Sequence, residues 1–279
     1  MNRRFAAALL AGLLAAVPAR AADPARPALA VEKLLNPTTA TAAKLGRLSD
    51  CVAVTPDGVA VVGDGKRLWL VGAAGARPAG VRGLSCFTFT PEGLLMGIKG
   101  RELVHLDADG GLTPLLHLPG AGMTLVPGQG DTLLLFGPEG KGRWGLYTIR
   151  PGRRVSRLLS AHDPITGAAE GGGRVLVVAG GALFVVRGKQ LQLMAGEPKG
   201  TLTSVATDAA GKAVFVSDGR RVFRIENEQS AVVTDDLGGS LRWYGGGLLV
   251  FDSHRRLLVR LVELPQAGTE PGTKSGEEK

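Results

Sequence analysis

Short apolar or alternating runs, separated by turns rich in Gly, Asp and Pro, repeat along most of the chain. One unit reads CVAVT, PDG, VAVVG, DGK and RLWLVG, and another reads TSVAT, DAAG, KAVFVS, DGR and RVFRIE. Short runs of this kind, bounded by such turns, are typical of β-strands joined in hairpins. Only the segment PTTATAAKLGRL shows a weak helical periodicity. The pattern therefore predicts an all-β protein.

Turns of the DGR type recur at a nearly constant spacing. Their centres fall 35 to 42 residues apart, at Gly65, Gly100, Gly142, Gly181, Gly219 and His254. A repeat of this length indicates a solenoid or a propeller, and four strands in each of six repeats favour a six-bladed β-propeller with four-stranded antiparallel blades. We place the blades at residues 48–83, 84–120, 121–163, 164–200, 201–239 and 240–264.

The last of these blades lacks a fourth strand. The segment ALAVEKLL, near the beginning of the chain, reads as a strand that has no blade of its own. A strand added to the last blade would join the two ends of the ring and cover sheet edges that an open ring exposes. We therefore predict that residues 27–35 complete the last blade and that the propeller domain spans residues 27–264.

The two ends of the chain have a different character. Arg3 and Arg4 precede a short apolar run that ends in the small-residue site Ala19-Arg20-Ala21, which is the pattern of a cleaved secretory signal peptide over residues 1–21. This predicts a periplasmic or secreted protein. No other run is long and apolar enough for a transmembrane span. Residues 265–279, PQAGTEPGTKSGEEK, are predicted to form a disordered tail.

The hairpin VSDGRRVFRI resembles the NHL-repeat family, whose blades carry an Asp-x-x-Asn-x-Arg-Ile-like hairpin. More broadly, the chain is similar to the six-bladed propellers that include NHL proteins, the TolB-like propeller and the gluconolactonase-like lactonases. The resemblance covers nearly all of the chain after the signal peptide and concerns architecture. The segment GPEGKGRWG departs most from the hairpin, because its turn is longer.

Basic residues accompany the turn between the second and third strands of five blades. The net charge is +8, with three of the positive residues in the signal peptide. In a propeller these turns share one face, so the sequence predicts a ring of cations there, made of Lys66, Arg67, Lys99, Arg101, Lys141, Arg143, Arg220, Arg221, Arg255 and Arg256. The same residues would also be explained if they only solvate the hairpins and bond neighbouring loops.

From this ring we predict a non-catalytic binding or scaffold module of the bacterial envelope. Its partner would be a protein or a polyanionic envelope component, attracted by summed electrostatics. Nucleic acid is not expected, since aromatic residues that could stack on bases are not interleaved with the cations. The protein is expected to be a monomer.

The resemblance to lactonases implies a divalent cation at the channel mouth, held by carboxylate and amide side chains. Aligning the starts of the first strands of the blades brings one carboxylate to this mouth, in the set Asp50, Ser85, Ala121, Thr166, Leu202 and Gly239, with Asp163 on a nearby connection. A hard cation needs several oxygen ligands. The sequence therefore predicts no metal, no cofactor and no catalytic residue. The alternative interpretations are a divergent lactonase-like hydrolase or lyase that uses Asp50 and Asp163, and a sensor that binds a small ligand in the channel.

The two cysteines, Cys51 and Cys86, occupy matching positions in the first two blades. Two cysteines in an exported protein usually pair. Equivalent residues of neighbouring blades point the same way, however, and this opposes the bond. The sequence therefore leaves two alternatives, a disulfide between Cys51 and Cys86 or two free cysteines.

Overall fold

The computed structural model describes residues 29–263 except 56, 73, 91, 108 and 151–154. The described residues form six four-stranded sheets and one short helix. The predicted six-bladed β-propeller is confirmed. The predicted signal peptide, residues 1–21, and the predicted tail, residues 265–279, lie outside the described residues.

The first three blades are built from consecutive strands. Blade one contains β2 (Val52–Val54), β3 (Ala60–Gly63), β4 (Arg67–Gly72) and β5 (Gly75–Arg82). Blade two contains β6 (Cys86–Phe89), β7 (Leu95–Lys99), β8 (Glu102–Leu106) and β9 (Leu112–His117). Blade three contains β10 (Thr124–Pro127), β11 (Leu133–Gly140), β12 (Arg143–Ile149) and β13 (Ser156–Ala161).

The next two blades follow the same plan, and the last one borrows a strand. Blade four contains β14 (Ile165–Gly171), β15 (Arg174–Ala179), β16 (Ala182–Arg187) and β17 (Gln190–Leu193). Blade five contains β18 (Ser204–Thr207), β19 (Val214–Ser217), β20 (Val222–Glu226) and β21 (Gln229–Thr234). Blade six contains β22 (Ser240–Tyr244), β23 (Gly247–Asp252), β24 (Leu257–Glu263) and β1 (Leu29–Leu35).

The strand β1 closes the ring, as the sequence predicts. It pairs antiparallel with β24, with Leu29 opposite Glu263 and a register shift between Lys33 and Leu35. The helix α1 (Pro37–Ala42) follows and leads to blade one. Its N-cap is Asn36, whose side-chain oxygen accepts a hydrogen bond from Thr39 N at 3.0 Å. The weak helical pattern in the sequence corresponds to this helix.

The hydrophobic core is divided among the spaces between blades. One cluster joins Leu35 and Phe251 of blade six to Val62 and Trp69 of blade one. The first strands of the blades contact one another in order around the ring, β2 with β6, β6 with β10, and so on to β22 with β2. These six strands therefore enclose the central channel.

The repeated acid and glycine shape the turn between the second and third strands. In blade one, Asp64 Oδ1 accepts hydrogen bonds from the backbone N–H groups of Lys66 and Arg67 at 2.9 and 2.8 Å. Gly65 supplies the positive φ of 76° that this turn requires. Blade five repeats both features with Asp218 and Gly219.

The two cysteines are bonded. Cys51 and Cys86 have a Cα–Cα distance of 5.4 Å, within the range that a disulfide spans. Both are buried, and the bond joins the beginnings of β2 and β6 across two blades. In the part of the chain that the structure describes, no helix is long and apolar enough to cross a lipid bilayer.

Candidate functional site

The ten basic residues lie at the turns for which the sequence predicts them. They occupy the connection between the second and third strands of blades one, two, three, five and six, or a strand residue next to it, as Lys66, Arg67, Lys99, Arg101, Lys141, Arg143, Arg220, Arg221, Arg255 and Arg256. The strand order places these connections on one face of the ring. In blade four, Gly180 and Gly181 occupy the equivalent turn.

Several of these arginines bond to loops of the protein itself. Arg101 Nη2 donates to Pro119 O at 3.1 Å, and Arg255 Nη1 donates to Asp236 O at 2.6 Å. Arg221 forms an ion pair with Asp218 at 2.7 Å. Burial alone would raise the pKa of Asp218, but hydrogen bonds from Arg221 and Arg220 outweigh it and lower that pKa. These contacts show that part of the ring stabilises the hairpins.

The longer hairpin of blade three holds a polar network at the same face. Glu139 accepts hydrogen bonds from the hydroxyls of Tyr147 and Ser160. Arg143 Nε donates to Ser160 Oγ at 2.9 Å, and its guanidinium lies 3.4 Å from His162 Nε2. Burial and the Glu139 carboxylate raise the pKa of Tyr147, so its hydroxyl stays a donor. The network explains why this hairpin departs from the repeated phrase.

The residues predicted at the channel mouth belong to different blades and have partners of their own. Asp50 is exposed and accepts a hydrogen bond from Ser253 Oγ of blade six. Ser85 donates to Ile98 O at 3.1 Å, inside its own blade. Asp163 and Thr166 are exposed at the start of blade four, where Asp163 packs beside Gly180. Within the described residues, no group of three or more His, Cys, Asp or Glu side chains could hold a metal ion.

A pocket lies at the other end of the channel, where the first strands of the blades finish. Its volume is about 350 Å³. Blades one, two, three and six form its wall, with Val52, Ala53, Val54, Thr88, Phe89, Thr90, Pro127, Gly128, Gly130, Thr132, Leu133, Arg242, Trp243, Tyr244 and Leu249. Such a concave, largely apolar site with a few polar groups is the usual form of a small-molecule site.

Arg242 supplies the positive charge of this pocket. It is the central residue of β22, and its Nη1 donates to Leu241 O at 2.7 Å. None of the ion pairs among the described residues includes Arg242. Arg242 is half-buried, and burial lowers its pKa to about 10, so the guanidinium remains charged at neutral pH.

Hydroxyl groups line the same pocket, and one carboxylate lies outside it. Thr88, Thr90 and Thr132 line the pocket and are almost completely buried. Tyr244 lines it as well, and its hydroxyl donates to Thr55 O at 2.8 Å. Glu170 lies just outside, where its Oε2 accepts from Gln129 N at 3.0 Å behind the lining residue Gly128.

This arrangement can bind a polar small molecule and stabilise negative charge on it. A preorganised cation in a site with little water acts strongly on a developing oxyanion. The sequence analysis missed the pocket because it considered the starts of the first strands and not their ends. The signal that could have found it is the charged Arg242 inside the otherwise apolar run SLRWYG of an innermost strand.

Comparison with solved structures places the chain among six-bladed propellers. A gluconolactonase from Xanthomonas campestris aligns with a TM-score of 0.62 and 17% identity, covering 87% of this chain and 98% of that one. A proposed gluconolactonase aligns with a TM-score of 0.64 and 15% identity, covering 84% and 92%. Regucalcin from Agrobacterium tumefaciens, described as calcium-binding, aligns with a TM-score of 0.56 and 16% identity, covering 77% and 90%. No protein-family model and no curated protein sequence matches the chain.

These neighbours correct the functional expectation from the sequence. The prediction of a non-catalytic envelope scaffold that binds through its basic face is wrong, because the solved structures of the same fold are of the gluconolactonase and regucalcin type. At these identities the likeness itself establishes the propeller fold.

The calcium that the regucalcin neighbour binds does not fit the described residues of this chain. Calcium takes six to eight oxygen ligands, several of them from carboxylates. At the channel mouth Asp50 belongs to blade one and Asp163 to the approach to blade four, and no cluster of three acidic or histidine side chains occurs among the described residues. No chemical step is therefore assigned to a metal here.

Proposed function

We propose that this protein is a lactonase-like hydrolase that acts on a small lactone or related ester in the channel pocket. The observation that carries the proposal is the half-buried cation of Arg242 in a pocket of about 350 Å³, in a fold shared with proteins described as gluconolactonases. Pockets for small molecules commonly measure roughly 300–1,000 Å³. The proposal concerns one end of the channel and uses none of the basic hairpins.

The chemistry requires stabilisation of one oxyanion. When the carbonyl oxygen of the lactone lies against Arg242, the guanidinium polarises the carbonyl and stabilises the charge that forms as water attacks. The ring C–O bond then breaks, the leaving oxygen takes one proton of the attacking water, and the other proton is released to the solution. Overall, lactone and water give a hydroxycarboxylate and one proton. Arg242 transfers no proton, because its pKa of about 10 keeps it charged at neutral pH.

We further propose that the protein is exported and that its basic hairpins are NHL-like structural turns. The Cys51–Cys86 bond supports an oxidising compartment, where disulfides persist. The contacts of Asp218 with Arg221 and of Arg101 with Pro119 support the role of the hairpins. Both statements are independent of the reaction in the channel.

Filling the pocket is expected to abolish hydrolysis. Val54 lines the pocket and is half-buried, so Val54→Phe should occupy space that a lactone needs. We expect the purified protein to release protons from glucono-δ-lactone faster than the buffer blank, with and without EDTA. The variant should lose at least about tenfold in kcat/KM, the equivalent of about 1.4 kcal/mol of transition-state binding. The measurement is the initial rate of proton release in a weakly buffered indicator assay.

A matched variant controls for general damage. Val233 is also half-buried, but it lies on the outer strand β21 of blade five. Val233→Phe should therefore keep the activity of the unmodified protein. A rate equal to the blank over a panel of five- and six-membered lactones would refute the proposed function, and so would equal rates for the two variants.

A further inference from the structure

The partners of Arg242 distinguish it from other arginines inside the propeller. Arg224 pairs with Glu226 at 3.0 Å, and Arg260 lies 3.9 Å from Glu32. By contrast, the hydrogen bond that Arg242 makes is to a backbone carbonyl of its own strand, Leu241 O, and no described carboxylate forms an ion pair with it. A buried charge is unfavourable unless another charge or strong acceptor compensates it. The pocket therefore lacks an anion on the protein side.

The groups around Arg242 indicate which anion would fit. A guanidinium offers a planar pair of N–H donors that matches a carboxylate. The remaining polar side chains of the wall are neutral hydroxyls, namely Thr88, Thr90, Thr132 and Tyr244. One cation with neutral hydroxyls suits a monoanion better than a dianion, and hydroxyls suit a ligand that carries hydroxyl groups of its own.

The rest of the wall fits the carbon skeleton of such a ligand. Val52, Val54, Phe89 and Leu249 present apolar side chains to the same space. Trp243 also lines it and is held in place by stacking on Phe215, with the ring centroids 5.5 Å apart.

We propose that the pocket beside Arg242 binds small hydroxycarboxylates as ligands in their own right, with the carboxylate on the guanidinium. Binding of this kind does not require that the protein be an enzyme. Only its interpretation as retention of the reaction product rests on the proposed function. Under that interpretation, the protein holds the acid that it forms and is inhibited by it.

The charged groups around the pocket set the pH dependence of this binding. Arg242 and Tyr244 are the titratable side chains of the wall, and Glu170 lies just outside it. Above the pKa of the ligand carboxylate, affinity should be nearly constant through neutral pH. It should fall as the pH approaches about 10, where Arg242 loses its proton. Glu170 is an acidic side chain outside the wall and offers the ligand carboxylate no attraction, so Glu170→Gln should not weaken binding.

The test is calorimetric titration of the full protein with sodium gluconate, with sorbitol and inorganic phosphate as comparison ligands. We expect gluconate to bind, sorbitol not to bind, and phosphate to bind more weakly than gluconate. Arg242→Met should weaken the affinity for gluconate by about tenfold to a hundredfold, because a charge-assisted hydrogen bond usually contributes a factor of that size. Arg242→Lys should retain part of the affinity, because it keeps the charge but loses the planar fork.

Arg260→Met provides the matched control. Arg260 is another half-buried arginine of blade six, and its Nη2 also donates to a backbone carbonyl, Gly245 O at 2.6 Å. This variant should bind gluconate like the unmodified protein. The melting temperature of Arg242→Met should be unchanged or raised, and it should no longer rise when gluconate is added; a purely structural arginine would give a lower melting temperature instead.

The outcomes separate this inference from the proposed function. Binding of gluconate that depends on Arg242, without hydrolysis of any lactone, would support the inference and refute the enzyme. Hydrolysis of a lactone without binding of gluconate at millimolar concentration would support the enzyme and refute the inference. Equal affinity of sorbitol and gluconate, equal affinity of the unmodified protein and Arg242→Met, or tighter binding of phosphate than of gluconate would each overturn the inference.

Discussion

Leu35→Ala is expected to lower the free energy of unfolding by about 3 kcal/mol, within the usual range for a buried leucine. Leu35 is the last residue of β1 and is 1% exposed. It packs in the cluster that contains Phe251 and Leu258 of blade six and Trp69 of blade one. The substitution therefore leaves a cavity at the seam where the ring closes. Urea unfolding followed by circular dichroism measures the loss.

Another residue of the same strand gives the control. Val31 is 57% exposed, so Val31→Ala should change the free energy of unfolding by less than about 0.5 kcal/mol. Similar losses for the two variants, or no loss for Leu35→Ala, would contradict the assignment of β1 as the strand that closes the propeller. A separate early transition in the unfolding curve of Leu35→Ala would show that blade six opens before the rest of the ring.

Removing the disulfide is expected to have an effect of similar or larger size. The bond between Cys51 and Cys86 closes a loop of 35 residues in the sequence. A loop of that length corresponds to about 4 kcal/mol of stabilisation in the chain-entropy model. The double variant Cys51→Ala with Cys86→Ala should therefore unfold at a clearly lower denaturant concentration than the oxidised protein.

Reduction of the unmodified protein controls for the lost side-chain volume. Dithiothreitol should lower the unfolding midpoint of the unmodified protein towards that of the double variant and should leave the double variant unchanged. If the midpoint of the oxidised protein equals that of the double variant, the bond contributes nothing to the folded state. The disulfide joins β2 and β6, which both line the channel pocket, so the same samples show whether pocket activity requires it.

Much of the fold follows from the local chemistry of its turns. In blades one and five the acid of the repeated phrase accepts backbone hydrogen bonds and the glycine adopts a positive φ, as with Asp64 and Gly65, so the phrase itself specifies a hairpin. Such hairpins at a period near 38 residues allow few arrangements other than a ring of blades. The role of β1 in closing the ring could be predicted because the last blade has three strands in the sequence and needs a fourth.

The functional site could not be predicted in the same way. Its wall combines residues from four blades, and the distance in sequence between Val54 and Arg242 carries no information about their distance in space. The sequence pointed to Asp50 and Asp163 because family resemblance directed attention to the channel mouth, and the structure places Asp50 before the first strand of blade one and Asp163 before the first strand of blade four. The basic ring attracted a binding hypothesis because charge on turns is conspicuous in a sequence, although Arg101, Arg221 and Arg255 bond to the protein itself.

The cation in the channel carries a cost in stability. Burial lowers the pKa of Arg242 to about 10, which corresponds to at most about 3 kcal/mol against the folded state at neutral pH. Because the folded protein releases this proton at lower pH than the unfolded chain, that contribution disappears as the pH rises above about 10. A charge retained at such a cost is typical of a site that serves binding or catalysis rather than stability.

We propose that one pocket, beside Arg242, both hydrolyses a lactone and holds the acid that results. Inhibition of glucono-δ-lactone hydrolysis by added gluconate tests this, when it is compared with the calorimetric Kd of gluconate for the same protein. We expect competitive inhibition with a Ki equal to that Kd, and loss of both in Arg242→Met. Hydrolysis that saturating gluconate leaves unchanged would contradict it, because the two molecules would then occupy different sites.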